Sequence, residues 1–156
     1  MINDNEIFDS RILQLSVLVT PDMANFSGVM HGGDLLRILD QVAYSCASRY
    51  TGKNVVTLSV ERVLFKHPIP IGNLLHFLAN INYTGRTSCE VGIKVITENI
   101  QNHSVIHSNS SYFTMVALDE NGRPTPIPPL NPQTDEEKRR FADGLRRKQS
   151  HSPKNF

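Results

Sequence analysis

The chain has 156 residues, 39% of them hydrophobic, with 16 basic residues against 15 acidic ones. That length suits one globular domain with a real core, and the near-neutral balance excludes a global pull towards nucleic acid or anionic membrane, so any anion site has to be local. Cys46 and Cys89 lie in apolar periodic segments without metal-ligand spacing, and no window approaches the roughly 18 apolar residues of a membrane span, which excludes a disulfide framework and membrane insertion.

Ile12 to Val19 is apolar and β-prone and stops at the turn signal Thr20-Pro21-Asp22, which predicts a first strand. Met1 to Ser10, before it, is acidic and has no basic region followed by an apolar run, so no signal peptide is expected and the thiols belong in a reducing cytoplasm. Asn25-Phe-Ser-Gly28-Val-Met-His31-Gly32-Gly33 then feeds directly into an apolar helix, predicted from about Gly32 to Tyr50 and closed by Thr51-Gly52. Gly32 and Gly33 have no Cβ, so a substrate can approach the backbone there, and the first N–H groups of a helix have no partner within it. Such donors, at the positive end of the helix dipole, are suited to polarise a carbonyl oxygen.

At about 100° per residue, Asp34, Arg37, Gln41, Ser45 and Ser48 form one polar stripe of this helix, and Leu35, Leu39, Val42, Ala43 and Cys46 form the opposite apolar face. Asp40 falls between them, roughly 10 Å along the axis from the glycine pair. Its neighbours three and four places away are Leu36, Arg37, Ala43 and Tyr44, so it is either a functional acid or a border acid paired with Arg37.

Four strand-like segments follow: Val55 to Phe65, Leu74 to Tyr83, Ser88 to Glu98 and Val105 to Leu118. In the third, Cys89, Val91, Ile93 and Val95 alternate with Glu90, Gly92 and Lys94, the pattern of a strand buried on one face. One long helix has to cover the packed side, which predicts an α+β fold: a curved antiparallel sheet, with a meander of four strands, wrapped around a central helix. Residues 1–130 make this domain. Residues 131–156 change character, from a Pro-rich link to a helix opened by the capping box Thr134-Asp-Glu-Glu137 and rich in Lys and Arg. With only Phe141 and Leu145 as an apolar edge, that helix is either a solvated, partly disordered tail or a basic clamp for ligand phosphates drawn from Arg139, Arg140, Arg146, Arg147 and Lys148.

Asn25-x-x-Gly28-x-x-His31-Gly32-Gly33 followed by Leu35-Leu36-x-x-x-Asp40-x-x-Ala43 resembles the signature of hot-dog-fold acyl-CoA thioesterases, the YciA-like and brain acyl-CoA hydrolase group. The resemblance continues in Val55-Val56-Thr57-x-x-Val60-Glu61-x-x-x-Phe65-x-x-Pro68-Ile69-x-x-Gly72, in Gly85-Arg86-Thr87-Ser88 and in Asp119-x-Asn121-Gly122-Arg123. It implies the hot-dog fold and hydrolysis of acyl-CoA thioesters by water, with no cofactor beyond the CoA carried by the substrate. It also implies dimers that join their sheets edge to edge, with three dimers forming a hexamer.

By the same resemblance Asp40 activates water or attacks the carbonyl itself, Asn25 acts across the dimer interface with the partner's Asp40, and N–H groups near Gly32 and Gly33 hold the thioester oxygen. Arg86, Thr87 and Ser88 are placed for the pantetheine arm and phosphates of CoA. Two departures stand out: Asn73 replaces an acid common after the glycine of that loop, and His31 occupies a variable position. Two other functions fit this fold, a hydroxyacyl dehydratase with a paired His and carboxyl, and a non-catalytic acyl-CoA sensor.

Overall fold

Leu35, Ile38, Leu39, Val42, Ala43, Cys46 and Ala47 recur at spacings of three and four residues, and all are buried along one side of the helix α1 (Gly32–Thr51). Gly52, with φ of 67°, closes it in the left-handed conformation, as the Thr51-Gly52 signal predicts, with Thr51 as the last helical residue. The computed structural model describes residues 9–151; residues 1–8, which hold most of the acidic N-terminal stretch, and 152–156 lie outside the described residues. Around α1 the chain forms β1 (Ile12–Leu18), β2 (Asn54–Glu61), β3 (Leu74–Thr84), β4 (Ser88–Asn99) and β5 (Ser104–Leu118), followed by a second helix, α2 (Asp135–Ser150).

The strands make one antiparallel sheet in the order β1-β3-β4-β5-β2. This corrects the four-strand meander: only β3, β4 and β5 follow one another, and β2 pairs with β5 instead of β3. The cause lies after Glu61, where β2 ends four residues short of the predicted Phe65. Arg62 takes φ of 59°, where the extended conformation stops, and the segment 62–73 before β3 is far longer than a tight hairpin loop. The segment 62–73 instead crosses the N-terminal end of α1, where Met30 N–H donates to the Ile69 carbonyl and Ile71 N–H to the Gly28 carbonyl.

The sheet curves around α1 through Phe77, Val91, Ile93, Val95, Phe113 and Met115, all buried. Its edges, β1 and β2, flank the side of the helix left open.

The outer face is not wholly wet, which corrects the reading of β4 as buried on one side only. Glu90 and Gly92 are buried as well, because α2 lies over β3 and β4. The capping box forms as the sequence predicts, with Glu137 N–H donating to Thr134 Oγ1 at 3.1 Å and Thr134 N–H to Glu137 Oε2 at 3.2 Å. Phe141 meets Tyr83 edge-on at 4.9 Å between ring centres. Arg147 donates to both oxygens of Glu90, at 2.9 and 2.6 Å, and stacks on Tyr112. Gly144 lets the helix approach: a Cβ there would stand 2.7 Å from Tyr83 Cβ. The described part of the tail is therefore docked on the sheet, through Phe141 of its apolar edge on Tyr83 and through Arg147 on Glu90 and Tyr112. The Pro-rich link is pinned on the way, through Ile127 N–H to the Arg86 carbonyl and Leu130 N–H to Thr84 Oγ1.

Candidate active site

The loop before α1 is stapled by its own asparagine. Asn25 Oδ1 accepts from Ser27 N–H at 2.9 Å and Val29 N–H at 3.3 Å, Gly28 supplies φ of 76°, and Asn25 N–H closes on the Val29 carbonyl at 2.8 Å. Asn25 Nδ2 donates to no protein group among the described residues, so it is free for a ligand. His31 is the N-cap but its ring does not cap, and the first backbone bond of the helix runs from Leu35 N–H to the His31 carbonyl at 3.2 Å. The N–H groups of Gly32 and Gly33 therefore have no partner within the helix. Gly32 borders a cleft of about 420 Å³ with Met30, His31, Leu35, Phe65, His67, Pro68 and Ile69. A Cβ on Gly32 would come within 3.2 Å of the Phe65 ring, whereas Gly33 has open space.

Asp40 sits on the open side of α1, exposed within the single chain. Thr57 on β2 donates its hydroxyl to Asp40 Oδ1 at 2.6 Å. Arg37, the cation expected beside it, pairs with Asp34 at 3.6 Å instead, so the reading of Asp40 as half of an Arg37 ion pair is corrected. The acid opens onto a second cleft, of about 500 Å³, walled by Leu13, Leu15, Val42 and Tyr44 with Gln14, Gln41 and Ser45. Within one chain, then, the glycine donors and Asp40 belong to two different clefts. Thr57 is the residue that sequence reasoning missed as a partner of Asp40. Its signal was its place in the Val55-Val56-Thr57 block.

Arg86 and Thr87 lie in the turn between β3 and β4 and Ser88 opens β4, away from both clefts. Their carbonyls are engaged by Ile127, Ala117 and Gly85 N–H respectively, Arg86 is exposed, and Ser88 shares a cleft of about 190 Å³ with Tyr83, Arg147, Lys148 and His151. The basic helix offers fewer free cations than its composition suggests. Arg147 is paired with Glu90, Arg140 with Glu136, and Arg139 and Arg146 with Asp143, which leaves exposed Lys138 and Lys148, the latter over the Tyr83 ring.

Burial pushes the Cys46 and Cys89 thiols up to about 12, so neither is a nucleophile. His31 has no carboxylate beside it. The histidine–carboxylate pairs among the described residues of the single chain, His76 with Glu98 and His151 with Glu61, lie elsewhere. Among the described residues no group of His, Cys, Asp and Glu could hold a metal ion, and no helix is long and apolar enough to cross a membrane.

The thioesterase superfamily matches residues 27–102. The chain is 58% identical over 141 residues to Protein VdlD of Helicobacter pylori, covering 90% of this chain and 80% of that protein. It is 34% identical to a hexameric acyl-CoA thioesterase of known structure, with a TM-score of 0.82 and 89% of each chain covered. The chain belongs to the hot-dog acyl-CoA thioesterases. Within that family, an acyl-CoA hydrolase of Staphylococcus aureus, solved with butyryl coenzyme A and coenzyme A, is 30% identical with a TM-score of 0.80 over 89% of this chain and 87% of that one. Variants of the same hydrolase have been solved with an asparagine, an aspartate or a threonine replaced by alanine. Those three residues follow one another in the chain order, and at the spacing, of Asn25, Asp40 and Thr57 here.

Proposed function

We propose that this protein hydrolyses acyl-CoA thioesters to a free acid and CoA, at sites where Asp40 of one protomer faces the partner's Asn25, Gly32 and Gly33. The observation that carries the reading is the Thr57 hydroxyl on Asp40 at 2.6 Å, which orients an acid on the open side of α1 beside an apolar cleft. The alanine variants of the Staphylococcus aureus hydrolase support it, since they fall on the matching asparagine, aspartate and threonine.

The separation of the two clefts supports a second copy. Gly32 and Asp40 lie about 12 Å apart along the helix axis, too far for one acid to serve a carbonyl held at its own helix start. Leu36 lies midway and is exposed, as are Tyr44 one turn beyond Asp40 and Val56, Leu58 and Val60 on the edge strand β2. A two-fold axis beside Leu36 sets residue 32 of one helix level with residue 40 of the other, forms both sites at once and covers this apolar surface. The relative of known structure is hexameric, and a trimer of such dimers is the arrangement proposed here.

In this arrangement the thioester oxygen lies against the glycine N–H groups, and Asn25 Nδ2 supports the water or the developing oxyanion. Asp40 takes a proton from water as the water oxygen attacks the carbonyl carbon, or adds its own oxygen to give an anhydride that water then opens. Either way the C–S bond breaks, CoA leaves as thiolate and recovers a proton. N–H donors aimed at such an oxyanion lower the barrier by about 3 to 4 kcal/mol each. Ser88 and Lys148 are the free polar groups nearest the turn assigned to CoA, and Arg86 projects into solvent beside them. The test is thiol release from a panel of acyl-CoAs. Turnover should fall at least about 100-fold in Asp40→Asn with assembly intact, and near-native turnover in that variant would refute the mechanism.

A further inference from the structure

Phe26 is exposed to 113% of the reference value, so its own chain covers none of the ring. The turn holds it there. Asn25 Oδ1 folds back onto Ser27 and Val29 N–H, Gly28 N–H donates to the Asn25 carbonyl at 3.0 Å, and the loop is tied to the neighbouring segment through Met30 and Ile71. A bulky apolar group fixed outward on a rigid turn is a feature that a binding partner covers. The open apolar cleft among the described residues that the proposed site brings close to it is the one beside Asp40, with Leu15 41% and Tyr44 44% exposed on its walls.

We infer that Phe26 of each protomer enters the cleft beside the partner's Asp40 and forms one wall of the acyl-chain site, so that acyl length is set in part by the other subunit. The inference rests on the proposed meeting of Asn25 with the partner's Asp40. Given that meeting, chain connectivity delivers the ring, because Phe26 Cα is 3.8 Å from Asn25 Cα and its side chain projects from the turn instead of folding back as the asparagine oxygen does. The cleft is apolar where the ring would lie, along Leu13, Leu15 and Tyr44, and polar at Asp40, where the carbonyl would lie. An acyl chain that leaves the carbonyl must then run past the phenyl group. The ring closes space that a longer chain would need.

The chain contains no tryptophan, so Phe26→Trp is a single reporter of the ring's surroundings. In the assembled protein its emission should lie to the blue of the urea-unfolded chain and change again when octanoyl-CoA, but not CoA alone, is added to an Asp40→Asn background. Phe26→Ala, assayed on saturated acyl-CoAs from butyryl to dodecanoyl, should lose at least about 10-fold in kcat/KM on the chain length the wild type prefers, chiefly through KM. Its optimum should move to longer chains, while Phe26→Leu keeps most of the native profile. Emission of assembled Phe26→Trp equal to that of the unfolded chain, or an unchanged chain-length profile in assembled Phe26→Ala, would overturn the inference. Loss of turnover in Asp40→Asn alongside such a result would leave the proposed function standing, and retained turnover in Asp40→Asn would remove that function and the inference with it.

Discussion

Removing the Thr57 hydroxyl is the sharpest test of how Asp40 is held. The bond is 2.6 Å long and Thr57 makes it from β2, so Thr57→Val deletes one donor to a carboxylate while nearly preserving shape. A hydrogen bond to a charged group contributes about 1.5–3 kcal/mol, equivalent to about 10- to 150-fold in rate at about 1.4 kcal/mol per decade. Both residues are exposed within the single chain, so water replaces part of the bond, and the lower part of that range, about 10- to 30-fold, is expected. The loss should fall on kcat, because the hydroxyl orients the acid and touches no remote part of the substrate. Thr57→Ser should recover most of it. Steady-state thiol release from the single variants, and from both combined with Asp40→Asn, makes a double-mutant cycle in which Thr57→Val adds less than about 3-fold once the carboxylate is gone. A further 10-fold loss on the Asp40→Asn background, or full activity in Thr57→Val alone, would refute the coupling.

Gly144→Ala should destabilise despite a helix preference of about 1 kcal/mol in favour of alanine, because the new Cβ meets Tyr83 Cβ at 2.7 Å and Glu90 Oε1 at 3.3 Å. A lower melting temperature with faster hydrogen exchange across α2 is the expected reading, and a higher one would refute the docked geometry. Cys46 and Cys89, with thiols pushed up to about 12 by burial, should resist maleimide in the folded protein at neutral pH and react once it is unfolded in guanidinium. Stoichiometric labelling of the native protein at pH 7 would contradict that burial.

Local rules made part of this fold legible. The run of apolar residues between Gly32 and Gly52, the alternation around Val91 and the Thr134 capping box each specify an element from neighbours in sequence, and each forms. What escaped depends on distant partners. The pairing of β2 with β5 is decided by residues more than forty positions apart, after the extended conformation stops at Arg62 instead of running into the hairpin that proximity favours. The docking of α2 escaped because its support lies in Tyr83, Glu90 and Tyr112, side chains that the alternation of their own strands assigns to solvent. In the site, Asp40 and the glycine pair stood out because a helix start and a border position carry meaning on their own. Thr57 did not, since a hydroxyl in a strand is ordinary until its contact with an acid 17 residues earlier is known.

The last expectation follows from the two clefts. If Asn25 and Asp40 act within one chain, no mixture of an Asn25→Ala protein with an Asp40→Asn protein can regain activity, because every chain carries one defect. Acting across a two-fold axis, a mixed dimer has one site that combines both defects and one that combines both native residues. Random exchange at equal concentrations makes half the dimers mixed, and half the sites in each of those intact, so about a quarter of the wild-type rate per chain should return. The recovery should grow with the time allowed for subunit exchange and vanish when exchange is blocked by cross-linking each variant beforehand. Verified mixed dimers without thiol release would show that the acid and the amide do not share a carbonyl, and would return the problem to the roughly 12 Å between Gly32 and Asp40 on a single helix.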